Sequence, residues 1–303
     1  MDLSLNPDQI AIREALDALA RPFESVALHA TGFALTDPAL DDALAAGGFL
    51  DVAFDPDLGT GTAAVVVERL ARLPQATEAA FSAIVRPALG EDVGRPLCVM
   101  EERDIGRPLR FLGEGTTVVV VGRHVTSFVA AQDNVRPEPE ALYAYPVGTL
   151  QAIPDSRRHH DVCVRKLHTL WRVALAAEAA GLLAAALASV CAHVSERQQF
   201  GRPLATFQAL RHRLAEAQVR INGVYWLAMK AAHTADAGDA ALAALHAQET
   251  ARAVVYDLHQ FMGAMGMTLE HPLHLWTYRL KLLASELGGR GGNALAAADA
   301  LWG

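Results

Sequence analysis

From Phe207 the apolar positions run Phe207, Leu210, Leu214, Ala217, Ile221, Val224 and Ala228. Steps of three and four are the buried stripe of an amphipathic helix, predicted here over residues 206–232. Upstream, Val173 to Val194 is apolar on every side and carries only Glu178 as a formal charge. A helix over 170–193 that is buried all round fits this pattern. Two more helices are expected over 240–265 and 272–287, with HTADAGDA at 233–240 as a turn. Connections this short make antiparallel neighbours, and hence a four-helix bundle. The tail, GGRGGNALAAADALWG, is expected to begin as flexible chain and end in a short docking helix.

The first ninety residues also read as helix. Asn6 can cap, Pro7 suits the first helical position, Gln9 completes a capping box and Leu5 can staple to Ile10. That helix runs to Ala20 with Ile12, Leu16 and Leu19 inward. Asp37-Pro38 opens a second, which Gly47-Gly48 closes. Helices over Ala63–Leu73 and Ala76–Val85 follow, separated by Pro74. From Gly94 the period falls to two. Leu97–Met100 reads as a strand, and Thr116–Val121 with His124–Val129 as a hairpin across Gly122-Arg123. Leu142–Tyr145 and Val162–Val164 are shorter strand candidates, and Pro137 and Pro139 mark a loop or an edge. The fold class is mainly α with a small β middle region. The divisions are N-terminal helices (1–90), a reduced β domain (91–165) and a C-terminal helical bundle (166–303).

Composition narrows the classes. Hydrophobic residues make up 52% of the 303, aromatics only 6%. Alanine-rich helices packed through small side chains suit that balance better than a β-sandwich. A net charge of -8 argues against a nucleic-acid partner. Cys98, Cys163 and Cys191 show no ligand spacing and read as free thiols in a reducing compartment. MDLSLNPDQ shows no basic-then-apolar leader, so a cytoplasmic location is expected. The 173–194 segment is alanine-rich with a Glu inside and His193 near its end, which favours a buried helix over a membrane span.

Candidate chemistry gathers at the corner before the amphipathic helix. Arg197-Gln198-Gln199-Phe200-Gly201 breaks the helical pattern, and Pro203 fixes a turn. A guanidinium there can grip a phosphate with its fork of donors. The string R-x-x-F-G-x-x-L-x-x-F-Q from Arg197 to Gln208 resembles the C-terminal domain of the acyl-CoA dehydrogenase family. Gln260-Phe261-Met262-Gly263-Ala264-Met265-Gly266 is similar to that family's Gln-x-x-Gly-Gly-x-Gly, with Ala264 in place of one Gly. Glu68-Arg69-Leu70-Ala71 resembles an inward segment of its N-terminal domain, and Glu270-His271-Pro272-Leu273-His274-Leu275 a string of bacterial members, including those acting on steroid side chains. The resemblance implies FAD as cofactor. It implies that Arg197, Gln199, Phe200, Gln260, Gly263 and Ala264 reach the adenosine-diphosphate half of a flavin held mainly by a neighbouring subunit. The implied reaction is α,β-dehydrogenation of an acyl-CoA thioester, with electrons passed to an electron-transferring flavoprotein.

Two departures bear on this chain's role. The family's flavin-contacting strand, Thr-Glu-Pro followed by Gly-Ser-Asp, has no counterpart in residues 91–115. Its catalytic Glu stands in one of two places, which match Trp171, before Arg172, and Gly288. Glu178, Glu270 and Glu286 are the remaining candidates for a base. No Glu-x-x-His pair supports a di-iron bundle. His271 and His274 read as structural or substrate-facing, and His159-His160 as a solvated loop. The leading expectation is a shortened subunit in a hetero-oligomer with a full-length acyl-CoA dehydrogenase that carries the Glu. This is similar to the small subunit of heterotetrameric steroid side-chain enzymes. The alternatives are a self-sufficient homo-oligomeric enzyme with a displaced Glu, and a flavin-free scaffold.

Overall fold

The computed structural model describes residues 4–26 and 34–303. Helix α1, Pro7–Ala20, starts on the expected capping box: the Asn6 side chain accepts from the Gln9 N–H at 2.8 Å and the Gln9 side chain from the Asn6 N–H at 3.1 Å. Asp37 caps α2, Pro38–Ala46, through the Ala39 N–H at 2.9 Å. Helix α3, Gly59–Ala71, begins four residues earlier than periodicity predicts. The helix expected over 76–85 is instead a π-helical segment, Ala80–Val85. There the Ser82 hydroxyl turns back onto the buried Glu78 carboxylate at 2.6 Å.

The middle region holds seven short strands: β1 Leu97–Glu101, β2 Pro108–Arg110, β3 Thr117–Val121, β4 Val125–Val129, β5 Val135–Pro137, β6 Val147–Leu150 and β7 Arg158–His160. They form two sheets, ordered β1-β3-β4-β7 and β2-β6-β5. Only β1 and β3 run parallel; β3 and β4 form the predicted hairpin, with Thr117 opposite Val129. Pro137 lies on an edge strand, where a missing N–H costs no ladder bond. Two strand expectations are corrected. Leu142–Tyr145 is a turn, with Ala144 at φ 53, and the strand begins after Pro146. Val162–Val164 leads straight into a helix, while His159-His160, expected in a solvated loop, lies in β7, where the His160 Nε2 is 2.7 Å from the Ser127 hydroxyl.

Helix α4, Val164–Glu196, spans 33 residues, about 50 Å at 1.5 Å per residue. It is long and apolar enough to cross a membrane, yet 78% of its most apolar window is buried inside the protein. A two-residue hairpin, β8 Gln198–Gln199 with β9 Arg202–Pro203, turns the chain into α5, Gln208–Thr234. Then come α6 Ala237–Met262, α7 Leu273–Leu283 and α8 Gly289–Trp302. Helices α4, α5 and α6 pack on one another, α8 on α6 and α7 on α4. The glycine-rich start of the tail is helical, not flexible. It docks through the fully buried Asn293, which donates to Gln248 at 3.1 Å and accepts from Arg172 at 2.8 Å. The helix expected to run through 287 stops at Leu283, and Leu287, at φ 57, lies in the turn before α8.

One apolar cluster runs from Leu16 in α1 through Val66, Phe81 and Val119 to Leu183, Ala244 and Leu283. The N-terminal helices and the bundle therefore share a core. Gly181 is the tightest joint: a Cβ there would collide with the Glu68 carbonyl oxygen and lie 2.8 Å from the Ala71 Cβ.

Candidate functional site

Two places carry the residues singled out by sequence. The first is the end of the bundle where α4 and α6 finish and α5 begins. The Arg197 N–H closes α4 on the His193 carbonyl at 2.9 Å, and the Leu204 N–H returns to the Arg197 carbonyl at 2.9 Å. The side chain of Arg197 is exposed and makes no hydrogen bond or ion pair among the described residues. Gln199 is exposed on β8. Phe200 sits at φ 55, a conformation that costs a side-chain-bearing residue about 1–3 kcal/mol. It is 88% exposed, and the Phe207 ring meets it edge-on, at 6.0 Å between ring centres. A strained aromatic pointing into water is displayed at that cost without any return from burial in this chain.

The α6 terminus faces the same end. Near the start of α5, Arg213 pairs with Asp257 of α6 and lies over the Phe261 ring at 5.7 Å. His193 meets His271 edge-on at 5.9 Å, tying the end of α4 to the loop before α7. His271 is pushed down to about 4 by burial and by the neighbouring His193 and His274, so this stack is neutral. Gln260, Gly263 and Ala264 are exposed here. Gly263 has φ +58, and a Cβ built on it would meet nothing within 4 Å. The glycine is needed for the turn, and the space over it is open to a ligand. All six residues expected at a nucleotide thus sit at one end of the bundle, on an outer surface.

The second place is internal; it holds the candidate acids Glu178 and Glu286, together with an arginine that the sequence did not single out. Arg110, on β2, is 3% exposed and enters between α4 and the turn after α7. Its guanidinium pairs with Glu178, and its Nε donates to Glu286 at 2.7 Å. It also lies 4.1 Å over the Phe81 ring and 5.6 Å from the centre of Tyr145. Glu178 accepts the Tyr145 hydroxyl at 2.6 Å, and Glu286 accepts the Trp171 indole N–H at 2.8 Å. Every carboxylate oxygen of the two acids is engaged. Burial opposes the charge on Arg110, but the facing Glu178 and Glu286 outweigh it and raise its pKa. Burial raises Glu286, against the pull of Arg110. Burial, and then Glu178, hold Tyr145 protonated.

Glu286 and Trp171 line a cavity of about 210 Å³. Small-molecule sites usually span roughly 300–1,000 Å³. Trp171, one of the two positions matched to the base, is thus bonded to Glu286, two residues before the other at Gly288, and Arg110 fills the room between α4, β2 and that turn. Glu270 is exposed in the loop before α7, away from this cluster. Among the described residues no group of His, Cys, Asp and Glu is arranged to hold a metal ion.

Residues 164–291 match the family model for the acyl-CoA dehydrogenase C-terminal domain. Acyl-CoA dehydrogenase IpdE2 of Mycolicibacterium smegmatis is 31% identical over 234 residues, 70% of this chain and 75% of that protein. Acyl-CoA dehydrogenase FadE34 of Mycobacterium tuberculosis is 34% identical over 138 residues, which cover 43% of this chain but only 19% of FadE34. The crystal structure of the ChsE4-ChsE5 complex from Mycobacterium tuberculosis is similar in fold, with a TM-score of 0.71 and 19% identity over 99% of this chain and 98% of that chain.

Proposed function

Because the chain belongs to the acyl-CoA dehydrogenase family, we propose that it is the shortened subunit of a hetero-oligomeric, FAD-dependent acyl-CoA dehydrogenase and completes a flavin site on a full-length partner. The carrying observation is the surface corner: an Arg197 with no hydrogen bond or ion pair among the described residues, beside a strained, 88% exposed Phe200. Both become useful when a second polypeptide brings an anion and an apolar surface to them. The residues fit the adenosine-diphosphate half of FAD. Arg197 holds the diphosphate as a charge-assisted fork, Phe200 covers it from water, and Gln260 and the open backbone at Gly263 meet the nucleoside. Bound flavin supplies the hydride acceptor.

The internal site supports the helper role. A base for the α-proton needs a carboxylate with a free lone pair beside a space for the thioester. Here Glu178 and Glu286 spend their lone pairs on Arg110, Tyr145 and Trp171, and the adjoining space is small. The partner therefore carries the base, and this chain binds and orients. The structure of similar fold is a complex of ChsE4 with ChsE5, which agrees with a two-chain assembly. Steroid side-chain thioesters, implied by the resemblance of the Glu270–Leu275 string, are the proposed substrate class. A cytoplasmic location and an electron-transferring flavoprotein as acceptor belong to the same proposal.

A second reading has one observation in its favour. Glu286 has a raised pKa and borders a cavity, as a base in a self-sufficient homo-oligomer would. Purification decides. The proposal expects a colourless chain that becomes yellow when co-expressed with the full-length partner. A yellow chain bleached by acyl-CoA on its own establishes the second reading, and one that never gains flavin establishes a scaffold. In the complex, Arg197→Ala should lower flavin retention at least tenfold; unchanged retention sinks the shared site.

A further inference from the structure

A groove of about 560 Å³ runs along the outer side of the α6 terminus. Tyr256 and Gln260 on α6 and Gly263 just beyond it form one side, Tyr278 and Lys281 on α7 the other. The size is that of a small-molecule site, where the internal cavity's is not. Its chemistry is selective. Tyr256 offers a flat face that is 68% exposed. The Lys281 ammonium stands 3.5 Å from the centre of the Tyr278 ring and has no ion pair among the described residues. In a chain of net charge -8, the residues lining this groove include that cation and no carboxylate. Burial lowers the pKa of Lys281, a cost that an anion beside it would offset. Burial lowers the pKa of His259 at the back, and its Nδ1 lies 2.7 Å from the Gly266 carbonyl, so it fixes the loop and leaves the ligand to its neighbours.

We propose that Tyr256 and Lys281 determine nucleotide specificity in the shared site: Tyr256 stacks on the purine and Lys281 is a second cation for the adenosine-diphosphate half. This rests on the shared-site reading above. It goes beyond that reading by adding Tyr256 and Lys281 to the Gln260 and Gly263 already placed at the nucleoside. A flat aromatic face and a cation on facing helices match a nucleoside diphosphate, which is planar at one end and anionic at the other. An acidic peptide would use the lysine but leave the tyrosine face without a planar partner.

The test uses the co-expressed complex, stripped of flavin and titrated with FAD by fluorescence quenching. Tyr256→Ala and Lys281→Met should each weaken FAD about tenfold, and ADP should compete with FAD less well in both variants. Subunit association, followed by sedimentation without flavin, should be unchanged. If both variants bind FAD and respond to ADP like the wild type while Arg197→Ala does not, the groove proposal is overturned and the shared site stands. If Arg197→Ala is silent as well, both fail. If either variant separates the subunits in the absence of flavin, the groove is a protein contact and the nucleotide assignment is wrong.

Discussion

Arg110 is held by groups that the sequence keeps far apart: Glu178 on α4, Glu286 after α7, and the rings of Phe81 and Tyr145. Two carboxylates share one guanidinium, so the cluster has no charge to spare. Removing the cation strands two buried anions, which costs about 3–5 kcal/mol. Arg110→Met should therefore lower the stability measured by urea unfolding by that order. Adding Glu178→Gln and Glu286→Gln should restore most of the loss, because buried neutral amides carry no stranded charge. A single variant as stable as the wild type would mean that the ion cluster is not what holds β2 against the bundle. Nothing local announces this residue. Arg110 stands in the apolar string PLRFL, 176 positions from Glu286, and an isolated buried arginine reads like a solvated one until its partners are placed. The corner was legible because its residues are adjacent in sequence. Glu178 and Glu286 were visible as candidate acids, but their engagement with Arg110 was not.

Helices α3 and α4 are set by Gly181. Helix propensity alone says that Gly181→Ala should stabilise by about 1 kcal/mol. The Glu68 carbonyl lies where the new methyl group must go, so the helices have to separate, at roughly 1–3 kcal/mol or more. The net change should be destabilising and visible as a lower urea midpoint; a stabilised variant would show that α3 and α4 have room to spare. Elements were readable wherever the pattern was long. The capping box of α1, the three-and-four stripe of α5 and the β3–β4 hairpin lie close to where periodicity puts them. Short elements escaped. Strands β2, β6 and β7 are three or four residues long and carry too few alternations to register, and β7 is made of Arg158, His159 and His160. The start of helix α8 escaped for another reason: the glycines around it disfavour a helix locally, but docking on α6 through Asn293 overrides that preference.

At the scale of the whole molecule, Glu78 joins the N-terminal helices to the β region. Its buried carboxylate accepts from the Leu97 N–H at 2.7 Å at the start of β1 and from the Ser82 hydroxyl. Arg95 approaches it at 3.3 Å and also reaches Asp41 on α2 at 2.8 Å. Burial pushes Glu78 from its ordinary 4.5 up to about 7, with Arg95 opposing. A folded-state pKa above the unfolded one means that the folded state binds the proton more tightly. That contribution is complete below about pH 4.5 and is lost as pH rises through about 7. Its size is on the order of 3 kcal/mol at ~1.36 kcal/mol per pKa unit. Stability should fall between pH 5 and pH 8, and Glu78→Gln should flatten that slope. Equal slopes in urea unfolding of the two proteins would place the titration elsewhere.

The uncovered Phe200 also has a cellular consequence. Under the shared-site reading, a copy that finds no companion keeps that ring and the 76% exposed Met267 in water. Surplus polypeptide is then adhesive, and a natural target for chaperones and proteases. Matched synthesis of the two gene products, such as a shared transcript provides, follows from a single side chain that has nowhere to hide.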